Sequence, residues 1–327
     1  MRVLILGGTG FVGRAAMDIC LARDDEVTLF HRGRSIPEPF PDVEHVIGDR
    51  EVGIDALRGR RWDVIVDPGG FEVKAVRATA RLLADRYVFV SSISVYRDPS
   101  NMDEFGPLCE VEDAENAKLS LETYGGLKAA CERALEQERA KTVLHVRAGL
   151  ILGPHDYDLR FPWWLRRIAR GGETLAPGNP EAHVQAIDVR DLAAWMCTTN
   201  KTGAFNATGK PMTMLSLFET MREVTKSDAR FVWVPDELLL KHGVAPYSEM
   251  PFWLPASIGA RCVPIDRAGL SLRPFAETAR DTWAWLQTGW DKEASVRANR
   301  RFHVPAGISD EREARIREEF LGPRTLK

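Results

Sequence analysis

The run "VLILGGTGFVGRAA", Val3 to Ala16, sets Gly7, Gly10 and Gly13 between a short apolar strand pattern and a helical pattern that starts at Phe11. Three glycines at this spacing, in a strand-to-helix turn, leave the chain few choices of fold. Gly7 permits a tight turn, Gly10 lets the backbone approach a pyrophosphate, and Gly13 lets the helix lie against the sheet. The helix N-terminus attracts the phosphate charge. Thr9, Phe11 and Val12 belong to the same expected phosphate-binding loop. Arg14 follows Gly13 where a nucleoside-triphosphate loop needs Lys and then Ser or Thr, so a dinucleotide is the expected ligand.

The first half of the chain repeats the strand–helix alternation. "EVTLF", "VEHVIG", "DVIVD", a helix from Val73 to Ala84, "YVFVSS", a helix from Tyr124 and "VLHVRA" follow in order. Such alternation predicts βαβ units and an α/β, doubly wound parallel sheet covered on both faces. Residues 1–150 are expected to form the nucleotide-binding domain, with later segments returning to it. Residues 151–327 are expected to be mainly a smaller substrate-binding lobe. In that half, Pro/Gly-rich connections such as "APGNPEAH" separate a helix from Val189 to Thr198, the strand "AFNAT" and a helix from Met214 to Thr225. "FAETARDTWAWLQTG" reads as an amphipathic helix and "DEREARIREEF" as a charged one.

The 44 basic and 47 acidic residues give a net charge of −3, which offers no electrostatic reason for nucleic-acid or membrane binding. A small-molecule partner is expected. No stretch approaches the roughly 20 apolar residues of a membrane span, and the five scattered cysteines suit a reducing compartment. A cytoplasmic location is the simplest expectation. The seven histidines show no HxH or HExxH spacing, so no metal site is expected.

At the end of the second strand, "VTLFHRGR", NAD-specific proteins carry an acid for the adenosine ribose hydroxyls. His31 stands there, followed by Arg32 and Arg34. Two guanidiniums without a carboxylate favour a 2′-phosphate, so NADP is expected over NAD. In "LETYGGLKAACE", Tyr124 and Lys128 lie four apart on one face of a helix. The spacing alone is close to chance. A lysine one turn away, however, stabilises a phenolate and makes the tyrosine a usable acid or base near neutral pH. Ser92, closing "YVFVSS", offers a donor for an oxygen whose charge changes.

Taken with "GDR" (Gly48–Arg50), "VFVSSISVY" (Val88–Tyr96), "RAGLILGP" (Arg147–Pro154) and "IDVRDLA" (Ile187–Ala193), these motifs resemble the extended, epimerase/dehydratase-like branch of the short-chain dehydrogenase/reductases. The resemblance implies a Rossmann fold. It implies that Asp49 contacts the adenine and that Arg50, beside it, also binds the cofactor, and that Pro68 and Gly69 lie where the end of the fourth strand passes the cofactor. Ser92, Tyr124 and Lys128 become the catalytic set, with Lys128 also reaching the nicotinamide ribose. The activity implied is NAD(P)-dependent oxidation or reduction of a secondary alcohol or ketone. One alternative is a sugar or sugar-nucleotide epimerase with retained cofactor. Another is a non-catalytic nucleotide-sensing or RNA-associated protein, because the subgroup is also similar to chloroplast stem-loop-binding proteins in which the Tyr/Lys pair is degraded. Dehydratases of this branch have Asp-Glu after the catalytic Ser/Thr. Here Ile93 and Ser94 follow, so dehydration is not expected.

Phe71, Ser94, Tyr96, Arg160 and Trp163 are the candidate substrate contacts, with Phe161, Trp164, Tyr247, Phe252 and Trp253 as further apolar walls. The family's mode of dimerisation would pair the helices Val73–Ala84 and Tyr124–Glu138 with a second copy, through the stripe Leu127, Cys131, Ala134 and Leu135. Asp67, in "VDPGGF", has no assigned role.

Overall fold

The computed structural model describes residues 1–33, 40–156, 158–289 and 306–322. In chain order the elements are β1 (Arg2–Leu6), α1 (Phe11–Leu21), β2 (Glu26–His31), β3 (Glu44–Ile47), β4 (Arg61–Asp67), α2 (Val73–Ala80), β5 (Leu83–Ser92), α3 (Tyr124–Arg139), β6 (Val143–Ala148) and β7 (Leu150–Leu152). Then come α4 (Arg160–Ala169), β8 (Glu173–Pro177), β9 (His183–Val184), β10 (Ala186–Asp188), α5 (Val189–Thr198), β11 (Gly203–Ala207) and β12 (Met212–Thr213). The last are α6 (Met214–Thr225), β13 (Arg230–Val234), α7 (Asp236–Lys241), α8 (Phe275–Gln287) and α9 (Asp310–Leu321).

A seven-stranded parallel sheet, ordered β11-β6-β5-β4-β1-β2-β3, forms the first unit. Its central strands are apolar on both faces, as a sheet covered on both sides requires. Alternate residues divide between two cores: Val3 and Ile5 face α1 and α5, while Leu4 and Leu6 face α2 and α3. The strand order reverses between β1 and β4, so the crevice at their carboxyl ends is where this architecture binds ligands. The glycine loop and the Pro68–Gly70 turn flank that crevice.

The first unit holds residues 1–151, 187–209 and 263–272; the segment 187–209 returns to the sheet, β11 pairing with β6 and α5 packing on α1, and 263–272 returns beside it, the Ala268 carbonyl accepting from the Trp195 indole at 2.8 Å. The second unit holds 152–186, 210–262 and the described residues from 273 on. There β8 pairs with β13 in parallel, and α4, α6 and α8 pack together. The Arg167 guanidinium grips Glu313 of α9 in the interior with bonds of 2.7 and 2.6 Å.

Three expectations change. The helix expected to reach Ala84 stops at Ala80, because the Arg81 and Leu82 amides bond back only three residues, and Leu83 and Ala84 are drawn into β5 by pairing with Arg61 and Trp62. The stripe Leu127, Cys131, Ala134 and Leu135 is buried within its own chain, the last three in the core beneath α2 and α3. It leaves no apolar surface of its own for a second copy. Phe161, Trp164, Phe252 and Trp253 are likewise interior residues of the second unit rather than open pocket walls.

Candidate active site

Gly7 has φ +90°, a left-handed backbone that a side chain would strain. At Gly13 a Cβ would lie 2.7 Å from the Gly8 Cα and 2.8 Å from the Gly7 oxygen, so only glycine lets α1 start this close to β1. Gly10 supplies no capping side chain, and the first turn of α1 has no acidic residue. The amides and positive dipole end of α1 are thus presented to an anion, the requirement for holding a pyrophosphate. On this geometry the loop, Thr9, Phe11 and Val12 included, fits a dinucleotide.

His31, at the end of β2, turns inward. Its Nδ1 accepts the Gly33 amide at 3.2 Å, which leaves Nε2 as the donor to His45 Nδ1 at 2.8 Å. The outward group is Arg32, half exposed, with its guanidinium 4.0 Å from the Asp49 carboxylate. These two residues, expected at different parts of the adenosine end, face each other at the rim. Arg34 lies outside the described residues.

Arg50 points into the protein, not toward the rim. Its two terminal nitrogens donate to Asp67 at 2.7 and 2.9 Å. Asp67, the last residue of β4, is fully buried and also accepts from the Gly69 amide at 3.1 Å and the Tyr87 hydroxyl at 2.8 Å. Burial opposes its charge, but the Arg50 guanidinium and the Gly69 amide outweigh that and hold its carboxyl below the usual range. Pro68 and Gly69 therefore sit on a turn anchored from beneath.

Tyr124 is the first residue of α3. The start of that helix is fixed by a reciprocal pair: the Ser120 amide donates to Thr123 Oγ1 at 2.8 Å and the Thr123 amide to Ser120 Oγ at 3.2 Å. The next residue, Gly125, lets the helix press on the turn after β5, where a Cβ would lie 2.1 Å from the Ser94 carbonyl oxygen. Ser92 ends β5, and its Oγ accepts the Ser94 amide at 3.1 Å, which leaves the hydroxyl hydrogen to donate elsewhere. Lys128 is 2% exposed. Its ammonium donates to Gly70 O at 2.9 Å and Val90 O at 2.7 Å, and lies 4.1 and 4.6 Å from the ring centres of Phe71 and Phe89. Phe71 in turn sits 5.8 Å from the Tyr124 ring. The fold therefore gathers Tyr124 and Lys128 on either side of Phe71 at the carboxyl end of the sheet, with Ser92 on the strand that Lys128 holds and exposed Ser94 beside it.

Tyr96 is buried, its hydroxyl donating to Asn206 Oδ1 at 2.6 Å and accepting from Arg147 at 3.1 Å. It belongs to a buried polar group that sequence reasoning missed. Arg147 of β6 binds Glu132 of α3 at 2.7 Å and the Glu104 carbonyl at 2.9 Å, while Glu104 accepts the Asn206 amide at 2.7 Å. Burial opposes the charge of Glu132, yet the Arg147 hydrogen bonds keep its carboxyl below the usual range. A signal was present: Glu132 is four residues past Lys128, on the same helix face, and Arg147 is a lone charge in an apolar strand. Arg160 and Trp163 belong to the second unit. There Arg160 pairs with Asp158 at 3.1 Å and covers the Tyr247 ring, and Trp163 packs edge-on against Trp164. Among the described residues no helix is long and apolar enough to cross a membrane.

The sequence profile of the NAD dependent epimerase/dehydratase family matches residues 3–210. A chloroplast stem-loop binding protein of 41 kDa from Arabidopsis thaliana is 29% identical over 210 residues, 59% of this chain and 53% of that protein, so the match spans about half of the relative's length. Among solved structures, a UDP-glucose 4-epimerase of Thermotoga maritima superposes with a TM-score of 0.66 at 15% identity, covering 89% of this chain and all of the other. A UDP-N-acetylglucosamine 4-epimerase of Methanobrevibacter ruminantium gives 0.64 at 20% identity, over 88% and 98% of the two chains. A dTDP-glucose 4,6-dehydratase of Bacillus anthracis, in complex with NAD, gives 0.63 at 16% identity, over 90% and 100%. At these identities the structures establish a shared fold, and the profile establishes descent. The chain belongs to the NAD dependent epimerase/dehydratase family.

Proposed function

We propose that the first unit binds a nicotinamide dinucleotide, NADP(H) in preference to NAD(H), and that the protein is an oxidoreductase for a secondary alcohol or ketone of a small molecule. The observation that carries the reading is the placement of Phe71 against both Lys128 and Tyr124 at the carboxyl end of β4 and β5, with Ser92 ending β5. When bound, the nicotinamide supplies or accepts the hydride. Every other requirement falls on side chains. Tyr124 gives or takes the proton on the substrate oxygen, and the Lys128 ammonium one turn away favours the phenolate needed for the oxidative direction. Ser92, already accepting from the Ser94 amide, aims its own hydrogen at the same oxygen. Arg32 is the cation at the adenosine end, where it offsets the Asp49 carboxylate 4.0 Å away, and the end of β2 itself carries the inward-turned His31 in place of an acid.

A screen of the purified protein for NADPH oxidation and NADP reduction, against a panel of carbonyls and alcohols, tests the reading. Turnover lost in Tyr124→Phe supports it, and turnover that survives the substitution contradicts it.

Two observations favour other readings. The solved relatives include 4-epimerases of UDP-sugars, and an epimerase retains its cofactor between turnovers. Nucleotide released only on denaturation of the purified protein favours epimerisation; a freely exchanging cofactor favours the reductase. Ile93 and Ser94, in place of an acidic pair, speak against dehydration. The chloroplast relative is named for binding stem-loops. Gel-shift binding of an RNA hairpin, with no turnover of any carbonyl, would favour an RNA-associated role.

A further inference from the structure

Arg50 and Asp67 form a buried ion pair that does more than join two side chains. Besides its two bonds to Asp67, the Arg50 guanidinium reaches the carbonyl of Leu6 at 3.4 Å. Leu6 is the last residue of β1, directly before Gly7. On the other side, Asp67 accepts the amide of Gly69, and the next carbonyl, that of Gly70, accepts from Lys128. One ion pair thus touches the start of the glycine loop, the turn that carries Asp49, and the turn after β4.

The pair is also expensive. Removing two charges from water costs several kcal/mol each in real proteins, and a well-packed apolar pair of similar volume is often as stable. Asp67 has no exposed surface and the Arg50 side chain is 15% exposed, so the cost falls on both. Stability alone gives little reason for the pair; its bonds from the Asp49 turn, on which Arg50 sits, to the end of β1 and to the turn after β4 give a positional one.

We propose that Arg50 and Asp67 are positioning residues for the nucleotide site. They fix the glycine loop, the Asp49 turn and the Pro68–Gly70 turn relative to one another and, through Gly70, set the place of the Lys128 ammonium. The inference rests on the reading of this crevice as a dinucleotide site. Arg50 then acts without touching the cofactor.

The test is NADPH titration, followed by fluorescence, of the full-length wild type, of Arg50→Lys, and of the double variant Arg50→Met/Asp67→Leu. Thermal melting and amide hydrogen exchange accompany it. The double variant drops both charges, but leucine is bulkier than aspartate and the Leu6 carbonyl, Gly69 amide and Tyr87 hydroxyl each lose a partner, so its melting temperature is expected to fall by several degrees while the chain stays folded. Its NADPH affinity is expected to fall by about ten- to a hundredfold, because a small misplacement of a binding loop costs that much. Exchange at Gly69 and Gly70 accelerates while the rest of β4 stays protected, a local effect that general destabilisation would not produce. Arg50→Lys keeps the charge but not the two-pronged contact, so it loses affinity to a smaller degree and decides the matter where the double variant does not fold. Wild-type affinity in folded Arg50→Lys or in the folded double variant overturns the inference alone. Absence of NADPH and NADH binding by the wild type overturns the reading of the site, and the inference with it.

Discussion

The ammonium of Lys128 donates to the carbonyl of Val90 at 2.7 Å, two residues before Ser92 on the same strand. The helix that begins with Tyr124 is therefore bonded, through its lysine, to the strand that ends with the serine. A second bond to Gly70 ties the same ammonium to the turn after β4. Lys128 is at once part of the proposed acid/base pair and a structural joint.

Lys128→Met should reveal both roles. Two buried carbonyls lose their donor, each at about 1–3 kcal/mol, although the apolar replacement also removes a buried charge. The melting temperature is expected to fall by several degrees, with turnover falling further than the loss of folded protein explains. Melting curves and initial rates measured on the same sample check this.

Arg32→Ala is expected to weaken NADP binding by about 1.5–3 kcal/mol, the range for a hydrogen bond to a charged group, and to leave NAD affinity nearly unchanged. The 4.0 Å pairing of Arg32 with Asp49 sharpens the expectation. Without Arg32, Asp49 stands alone near the 2′ position and repels a phosphate. Parallel titrations with the two cofactors decide it; equal losses for both would contradict the assignment.

Asp156 in the second unit carries a pH prediction. Burial, then the neighbouring Asp158, push its carboxyl up to about 7. A carboxyl raised in the folded state contributes most to stability below its unfolded pKa of about 4, and that contribution is lost as pH rises toward 7. Asp156→Asn keeps an oxygen to accept the Asp158 amide, now bonded at 2.9 Å, and cannot ionise. Its melting temperature relative to the wild type should therefore climb between about pH 4 and 7 and level off above. A difference that is constant with pH would contradict the buried, reluctant acid described here.

In the second unit, Glu313→Ala leaves the Arg167 guanidinium buried beside an empty partner position, which typically costs about 3–5 kcal/mol. The Leu175 amide, which donates to Glu313 at 3.1 Å, is orphaned as well. Chemical denaturation should show the loss directly; a cost below about 1 kcal/mol, the level of surface ion pairs, would mean the pair is solvated in solution.

The parts of the fold legible in the sequence are those governed by local periodicity. The glycine loop opens α1 where its spacing predicts, and α5 and α6 have the expected bounds, because each helix begins beside a side chain that caps it, Asp188 and Thr213. The end of α2 was not legible, since pairing with β4 claims Leu83 and Ala84 against helical propensity. The stripe on α3 shows what periodicity leaves open: it predicts a buried face without saying what buries it. Arg50 shows the same limit for charge, because the acid that turns it inward lies seventeen residues away in sequence. Asp67, to which the sequence assigns no role, turns out to join these turns.

The most direct test of the account is NADPH binding and carbonyl reduction measured on the wild type and on Tyr124→Phe. Wild-type protein should bind NADPH and reduce at least one ketone of the panel. Tyr124→Phe should bind NADPH as the wild type does, with its rate down by about a hundredfold or more, the share of a general acid/base. A wild type that binds neither nicotinamide nucleotide, or a Tyr124→Phe variant that reduces the same ketone at the wild-type rate, would contradict it.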